Sequence, residues 1–246
     1  MMARREFAVL LLRGATIMAV GGCSKSDPAL GDAYFQPIRY RLTATVETPQ
    51  GERTAFSVIE SQTNRSITRV KARGEAVAVD LPDGQTLFVL LRSKSMVDWA
   101  ESLPGIPVIE ADAVVHGLEE RQAQLDRQFA AMAADRQVYF LWGESVAADR
   151  AQYLPIMVRF RDPADPKSVE PVAPNDLAAS FGPGYRFKSL TVQVTDEPVT
   201  LGIEKRLGWL GEYPEPRLEP IPGGGVATPT LAQFLSFGDF LRDKHQ

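Results

Sequence analysis

Apolar and polar residues alternate without a break from Ile38 to Glu47. Ile38, Tyr40, Leu42, Ala44 and Val46 stand against Arg39, Arg41, Thr43, Thr45 and Glu47. A period of two sustained this long predicts a half-buried strand. Pro49-Gln50-Gly51 turns the chain, and Thr54 to Glu60, with Phe56 and Val58 on one face, predicts the second arm of a hairpin. Ser66 to Lys71 and Glu75 to Leu81 read as further strands. Pro82-Asp83-Gly84 is a turn, and Gln85 to Arg92 leaves it as an apolar strand. The N-terminal third therefore reads as an antiparallel sheet of up to five strands.

The period then changes. Val114, Leu118, Leu125, Phe129 and Met132 recur at three-to-four spacing and predict one long helix from about Asp112 to Arg136. Val138 to Trp142 and Ile156 to Arg161 return to strand. Asn175 or Asp176 caps a short helix to Phe181. Tyr185 to Thr195 alternates with one slip of phase, the mark of a bulge. Glu197 to Trp209 reads as an irregular helix. Five prolines between Pro214 and Pro229 flank Gly223-Gly224-Gly225 and predict a linker. Thr228-Pro229 then starts a last helix, as N-cap and first-turn proline, carrying Leu231, Phe234, Leu235, Phe237 and Leu241. The fold class expected is α+β: an antiparallel β-sheet packed against one long helix, with a Pro/Gly-rich linker and a C-terminal helix.

The first residues have a different character. Arg4 and Arg5 precede an apolar run from Phe7 to Leu12, a weaker one from Gly14 to Val20, and the small residues Gly21 and Gly22. Basic, apolar and small-residue regions in that order are the layout of a secretory signal. Arg13 interrupts the apolar stretch, and a charge at mid-membrane costs roughly 2.5–3.5 kcal/mol on insertion scales, which disfavours a spanning helix. Arg4-Arg5-Glu6-Phe7 also matches the R-R-x-F start of twin-arginine signals, although two arginines equally begin an ordinary one.

Val20-Gly21-Gly22-Cys23 resembles the lipobox of bacterial lipoproteins, with Val20 and Gly21 where Leu and Ala or Ser are more usual. The resemblance covers the processing signal alone. It implies cleavage before Cys23 and attachment of a diacylglycerol to its thiol. It also implies an acylated, palmitate-bearing N-terminus and a membrane partner reached through that anchor. Ser24, where an Asp would signal inner-membrane retention, implies the outer membrane, facing the periplasm. The domain plan is then signal 1–22, tether 23–35, one α+β domain 36–210, linker 211–229 and C-terminal helix 230–246.

Composition narrows the rest. The chain has 246 residues, 44% of them hydrophobic and 24% charged, ordinary globular proportions. One cysteine excludes an internal disulfide and a Cys-x-x-Cys pair, and two histidines exclude a poly-histidine metal centre. The net charge is −4, and removal of a signal of net +2 leaves −6. Such a chain has no basic surplus for phosphates, so nucleic acid is not expected as a partner.

No residue set earns a catalytic, metal or cofactor assignment. Gly143-Glu144-Ser145-Val146-Ala147 follows a strand and approaches the Gly-x-Ser-x-Gly nucleophile elbow, with Ala147 in place of the last Gly. Its only downstream histidine is His245, beside the C-terminus. An ordinary strand-to-helix cap is the plainer reading. His116 has Glu119 and Glu120 a turn away but lacks further ligands. Asp162, Asp165 and Glu170 lack the Asp-x-Asp-x-Asp-Gly spacing of a calcium loop and read, like Asp196-Glu197-Pro198, as a solvated turn. Trp99, Trp142 and Trp209 read as packing residues rather than a cleft. Asn64-Arg65-Ser66 is a formal glycosylation triplet of little weight. The function expected is that of a lipid-anchored cell-envelope protein, an accessory or binding module with an envelope protein partner. The alternative is an envelope serine hydrolase using Ser145.

Overall fold

The computed structural model describes residues 34–64, 70–103, 118–134, 136–143, 154–211, 217–223 and 228–242. They form two antiparallel sheets. Strands β1 (Ile38–Thr48), β2 (Gly51–Thr63), β3 (Val70–Glu75), β6 (Val138–Trp142), β9 (Arg186–Val194) and β10 (Leu241–Arg242) make the larger, in the order β10-β3-β2-β1-β9-β6. Strands β4 (Val77–Asp80), β5 (Thr86–Ser93), β7 (Pro155–Phe160) and β8 (Val169–Pro171) make the smaller, in the order β4-β5-β7-β8.

The alternation in β1 does what its period requires. Tyr40, Leu42, Ala44 and Val46 are buried, and the intervening residues are half-exposed. The turn after β1 is closed locally: Thr48 Oγ1 accepts from Gln50 N at 3.2 Å and donates to Gly51 O at 2.7 Å. Gly51 takes a φ of 103°, a conformation that costs glycine little. The phase slip in β9 is a bulge at Lys188, because Thr45 faces Ser189 while Val46 faces Phe187.

The expected sheet-on-helix architecture is overturned by this second sheet. The buried face of the larger sheet (Tyr40, Leu42, Val46, Leu190) packs on Val77, Val79, Leu87, Val89 and Leu91 of the smaller. The layer on the buried face of the larger sheet is the smaller sheet, while the described part of the stretch from Asp112 to Arg136 approaches strands β1 and β9. That stretch is helical over Leu118–Ala134, and its described side chains face solvent apart from half-buried Gln124. The physical reason lies in β5. Leu87, Phe88, Val89, Leu90 and Leu91 are consecutive, apolar and buried. A strand apolar at successive positions must be covered on both faces. The smaller sheet is therefore a middle layer, between the larger sheet and a second core.

That second core replaces the expected C-terminal helix. Phe88, Leu90, Val158 and Phe160 project from the other face of the smaller sheet onto Ile203, Leu207, Trp209, Leu218, Leu235, Phe237 and Phe240. The regular helix is only Leu231–Phe234, capped by Thr230 rather than Thr228. Thr230 Oγ1 accepts from Gln233 N at 3.2 Å, and Gln233 Oε1 accepts from Thr230 N at 3.1 Å. Leu235 is extended, a 3-10 turn follows over Phe237–Asp239, and Leu241–Arg242 pairs as β10 with Glu75 and Gly74. Leu218, inside the proline-rich stretch, is buried and donates its backbone N–H to Leu235 O at 3.1 Å. The irregular helix expected over Glu197 to Trp209 is a pair of 3-10 turns, Ile203–Lys205 and Gly208–Gly211.

Candidate functional site

Cys23, His116, Ser145 and His245 lie outside the described residues. The acidic residues singled out in the sequence are spent on local structure. Asp162 Oδ1 accepts from Ala164 N and Asp165 Oδ1 from Lys167 N, each at 2.9 Å. Glu170 pairs with Arg159 at 2.8 Å and Arg161 at 2.9 Å. Asp196 pairs with Arg136 and Glu197 with Arg41. Among the described residues no three His, Cys, Asp or Glu side chains group as metal ligands would. The tryptophans are separated. Trp99 is buried in the first core, Trp209 in the second with its indole N–H on Pro163 O at 3.0 Å, and Trp142 is half-buried at the rim of the larger sheet. Asn64 is buried, which leaves its amide inaccessible to a glycosyl transferase.

Two arrangements escaped the sequence reading. The first is a buried charge cluster where the two sheets meet the C-terminal segment. Arg92, near the end of β5, pairs with Asp239 at 3.4 Å, and Arg242 of β10 pairs with Glu101 at 3.1 Å. Glu101 belongs to the short helix α1 (Trp99–Ser102). The Asp239 side chain is 0% exposed, and its Oδ2 accepts from Ser236 N at 2.8 Å. Arg92 also lies over the Phe234 ring, 4.2 Å from its centroid. Burial pushes the Glu101 carboxyl above the usual carboxylate range against the opposing pull of Arg242. Burial likewise drives the Tyr40 hydroxyl well up, with a smaller push from Glu101, while that hydroxyl donates to Ala100 O. Glu101 Oε2, Asp239 Oδ1, Arg92 Nε and Arg242 Nε are buried without a partner atom. The arrangement fastens the C-terminal segment to both sheets. It brings together no nucleophile and base.

The second arrangement is the outward face of the larger sheet. Register puts Phe56, Thr43, Thr191 and Phe140 in one row across β2, β1, β9 and β6. At ~4.8 Å between strands this row spans about 14 Å. Phe56 is 47% exposed and Phe140 55%. A second row holds Thr54, Thr45 and Ser189, with the two threonine hydroxyls 3.1 Å apart. The charges around this patch are neutralised in pairs: Arg41 with Glu197, Arg186 with Glu47 at 2.7 Å, and Lys188 with Glu52. The result is a row of threonine hydroxyls edged by two phenylalanines, with the Arg41 guanidinium over the Phe56 ring, 4.3 Å from its centroid.

The fold and these surfaces define a two-sheet antiparallel β protein with a third, irregular layer. Neither protein-family models, curated proteins nor solved structures give a match to the chain.

Proposed function

We propose that this is a lipid-anchored cell-envelope protein that presents its two-sheet domain as an accessory or binding module. One observation carries the reading: the only cysteine in the chain, Cys23, follows directly on a basic, apolar and small-residue sequence in lipobox order. From Cys23 to Tyr34 the chain reaches at most about 40 Å, so the anchor would keep the domain beside the bilayer. Outer-membrane placement facing the periplasm belongs to the same proposal and follows from Ser24. The binding role is supported by the exposed phenylalanines Phe56 and Phe140 on the outward face of the larger sheet.

The test is Cys23→Ala in cells labelled with a palmitate analogue. The expected outcome is loss of label, loss of globomycin-sensitive processing and release from the membrane fraction. A variant that keeps its label or stays with the membranes as wild type does would overturn the reading. Separating inner and outer membranes then decides the sorting inferred from Ser24.

A further inference from the structure

The chain enters the described fold at one end of the two sheets. Tyr34 bridges to Asn64, and Phe35 N donates to Thr63 O at 2.9 Å, where β1 begins and β2 ends. β3 leaves that end and runs on through Ala76 into β4, and β5 returns antiparallel to β4. β5 therefore finishes, at Ser93, on the side where the chain came in. The helix after it lies at the same level: Ser61 Oγ donates to Glu101 O at 2.9 Å and the Tyr40 hydroxyl to Ala100 O. Between β5 and α1 stands the loop Lys94-Ser95-Met96-Val97-Asp98, exposed at every residue. Met96 is 37% exposed and Val97 54%. The backbone of this loop is bonded within the protein. Met96 N donates to Ser93 Oγ at 3.1 Å and Ser93 N to Met96 O at 2.9 Å. The Arg242 guanidinium donates to Val97 O at 3.1 Å, and Ser102 Oγ to Asp98 O at 2.8 Å.

We infer that the Met96–Val97 tip is a membrane-contact loop, which enters the headgroup region of the bilayer that holds Cys23. This contact rests on the lipid anchor proposed above, and the place where the tether ends argues for it. A chain that reaches at most about 40 Å from Cys23 to Tyr34 turns the entry end of the domain towards the bilayer. The tip stands at that end. Its chemistry suits the headgroup boundary, because two adjacent apolar side chains leave water there. The loop carbonyls of Met96, Val97 and Asp98 already have protein partners, so moving them out of water orphans none of them. Exposed Lys71 and Lys94 stand at the same end and attract the phosphates of anionic lipids. The Lys71 ammonium lies over the Tyr34 ring, 4.3 Å from its centroid. The other described charges at this end include the pairs Arg39–Glu60 and Arg136–Asp196 and the loop's own Asp98, which precedes α1. Acyl chains on a tether leave a domain free to swivel, and a second, weak contact fixes the face that it presents.

The test exploits the single cysteine. In the full-length lipidated chain Cys23 is acylated, so Met96→Cys supplies the one free thiol for a fluorescent NBD maleimide. Gln50→Cys, in the turn at the opposite end of the sheets, supplies the control. Each protein is reconstituted into vesicles of phosphatidylethanolamine and phosphatidylglycerol that contain a lipid with a doxyl quencher near its headgroup. Quenching of about twofold is expected at position 96 and none at position 50. Val97→Asp added to Met96→Cys is expected to halve the quenching while the protein still floats with the vesicles. Val97→Cys serves if Met96→Cys does not fold by circular dichroism. A protein that floats with the vesicles but is quenched equally at both positions, or at neither, overturns the loop contact and leaves the anchor standing. A chain that does not float, with Cys23 open to the maleimide, refutes the anchor and the contact with it. Shielding of position 96 from a soluble quencher only when envelope proteins are added assigns the loop to a protein occupant and also overturns the inference.

Discussion

Gly74 shows how much can rest on a missing side chain. It pairs with Arg242 at the edge of the larger sheet and holds a φ of 148°. A Cβ there would lie 2.9 Å from Ile59 Cγ1 and 3.0 Å from Ile59 Cα, so both the backbone and the neighbour resist it. Gly74→Ala is expected to destabilise the fold by about 1–3 kcal/mol, read as a lowered urea midpoint at unchanged slope. Glu101 makes a second prediction at this scale. Its pKa is raised in the folded protein, so its contribution is fully present below the usual glutamate pKa and is lost as pH rises through the raised value. Glu101→Gln cannot ionise. The stability of that variant relative to wild type should therefore improve as pH climbs through this window and then level off. Denaturant titrations between pH 4 and 8 check the slope, and an opposite slope refutes the assignment. Neither residue stands out in the sequence, because a close approach or a desolvated carboxylate exists only once distant strands have met.

The C-terminal segment carries the lesson at the scale of elements. Its apolar residues recur at spacings that suit a helix, yet the chain is helical over only Leu231–Phe234. Periodicity reports which residues seek burial, not the backbone path that buries them. A local signal was nonetheless present. Thr230-x-x-Gln233 and Ser236-x-x-Asp239 both form capping boxes. Two starts within ten residues cannot belong to one continuous helix. Once cut in this way, the segment turns Phe240 into the second core, its ring centroid 5.7 Å from Trp209, 5.8 Å from Phe160 and 6.4 Å from Phe88. Phe240→Ala is expected to cost about 3–5 kcal/mol, measured by thermal or urea unfolding. Phe140, equally aromatic but 55% exposed, should lose little fold stability when replaced.

Across the whole molecule the three layers explain why burial is so uneven. The smaller sheet is covered on both faces, by the larger sheet on one side and by the C-terminal segment on the other. The larger sheet packs its buried face on the smaller one, and its outward residues include the row from Phe56 to Phe140. The buried charges sit where the layers are stitched together, with Arg92, Glu101, Asp239 and Arg242 joining the middle strand β5, the helix after it and the last strand.

By itself the sequence determined the local matters: the alternation of β1, the turn at Gly51, the bulge in β9 and the apolar run of β5. Each is written in neighbouring residues, because side-chain periodicity and turn chemistry act over a few positions. The sorting of strands into two sheets, the cut C-terminal helix, the buried Arg–carboxylate cluster and the row from Phe56 to Phe140 were decided only by the tertiary structure. Each depends on residues far apart in the chain becoming neighbours. Strand partners are selected by which faces can be covered together, and a run such as Leu87–Leu91 demands two covers without naming either.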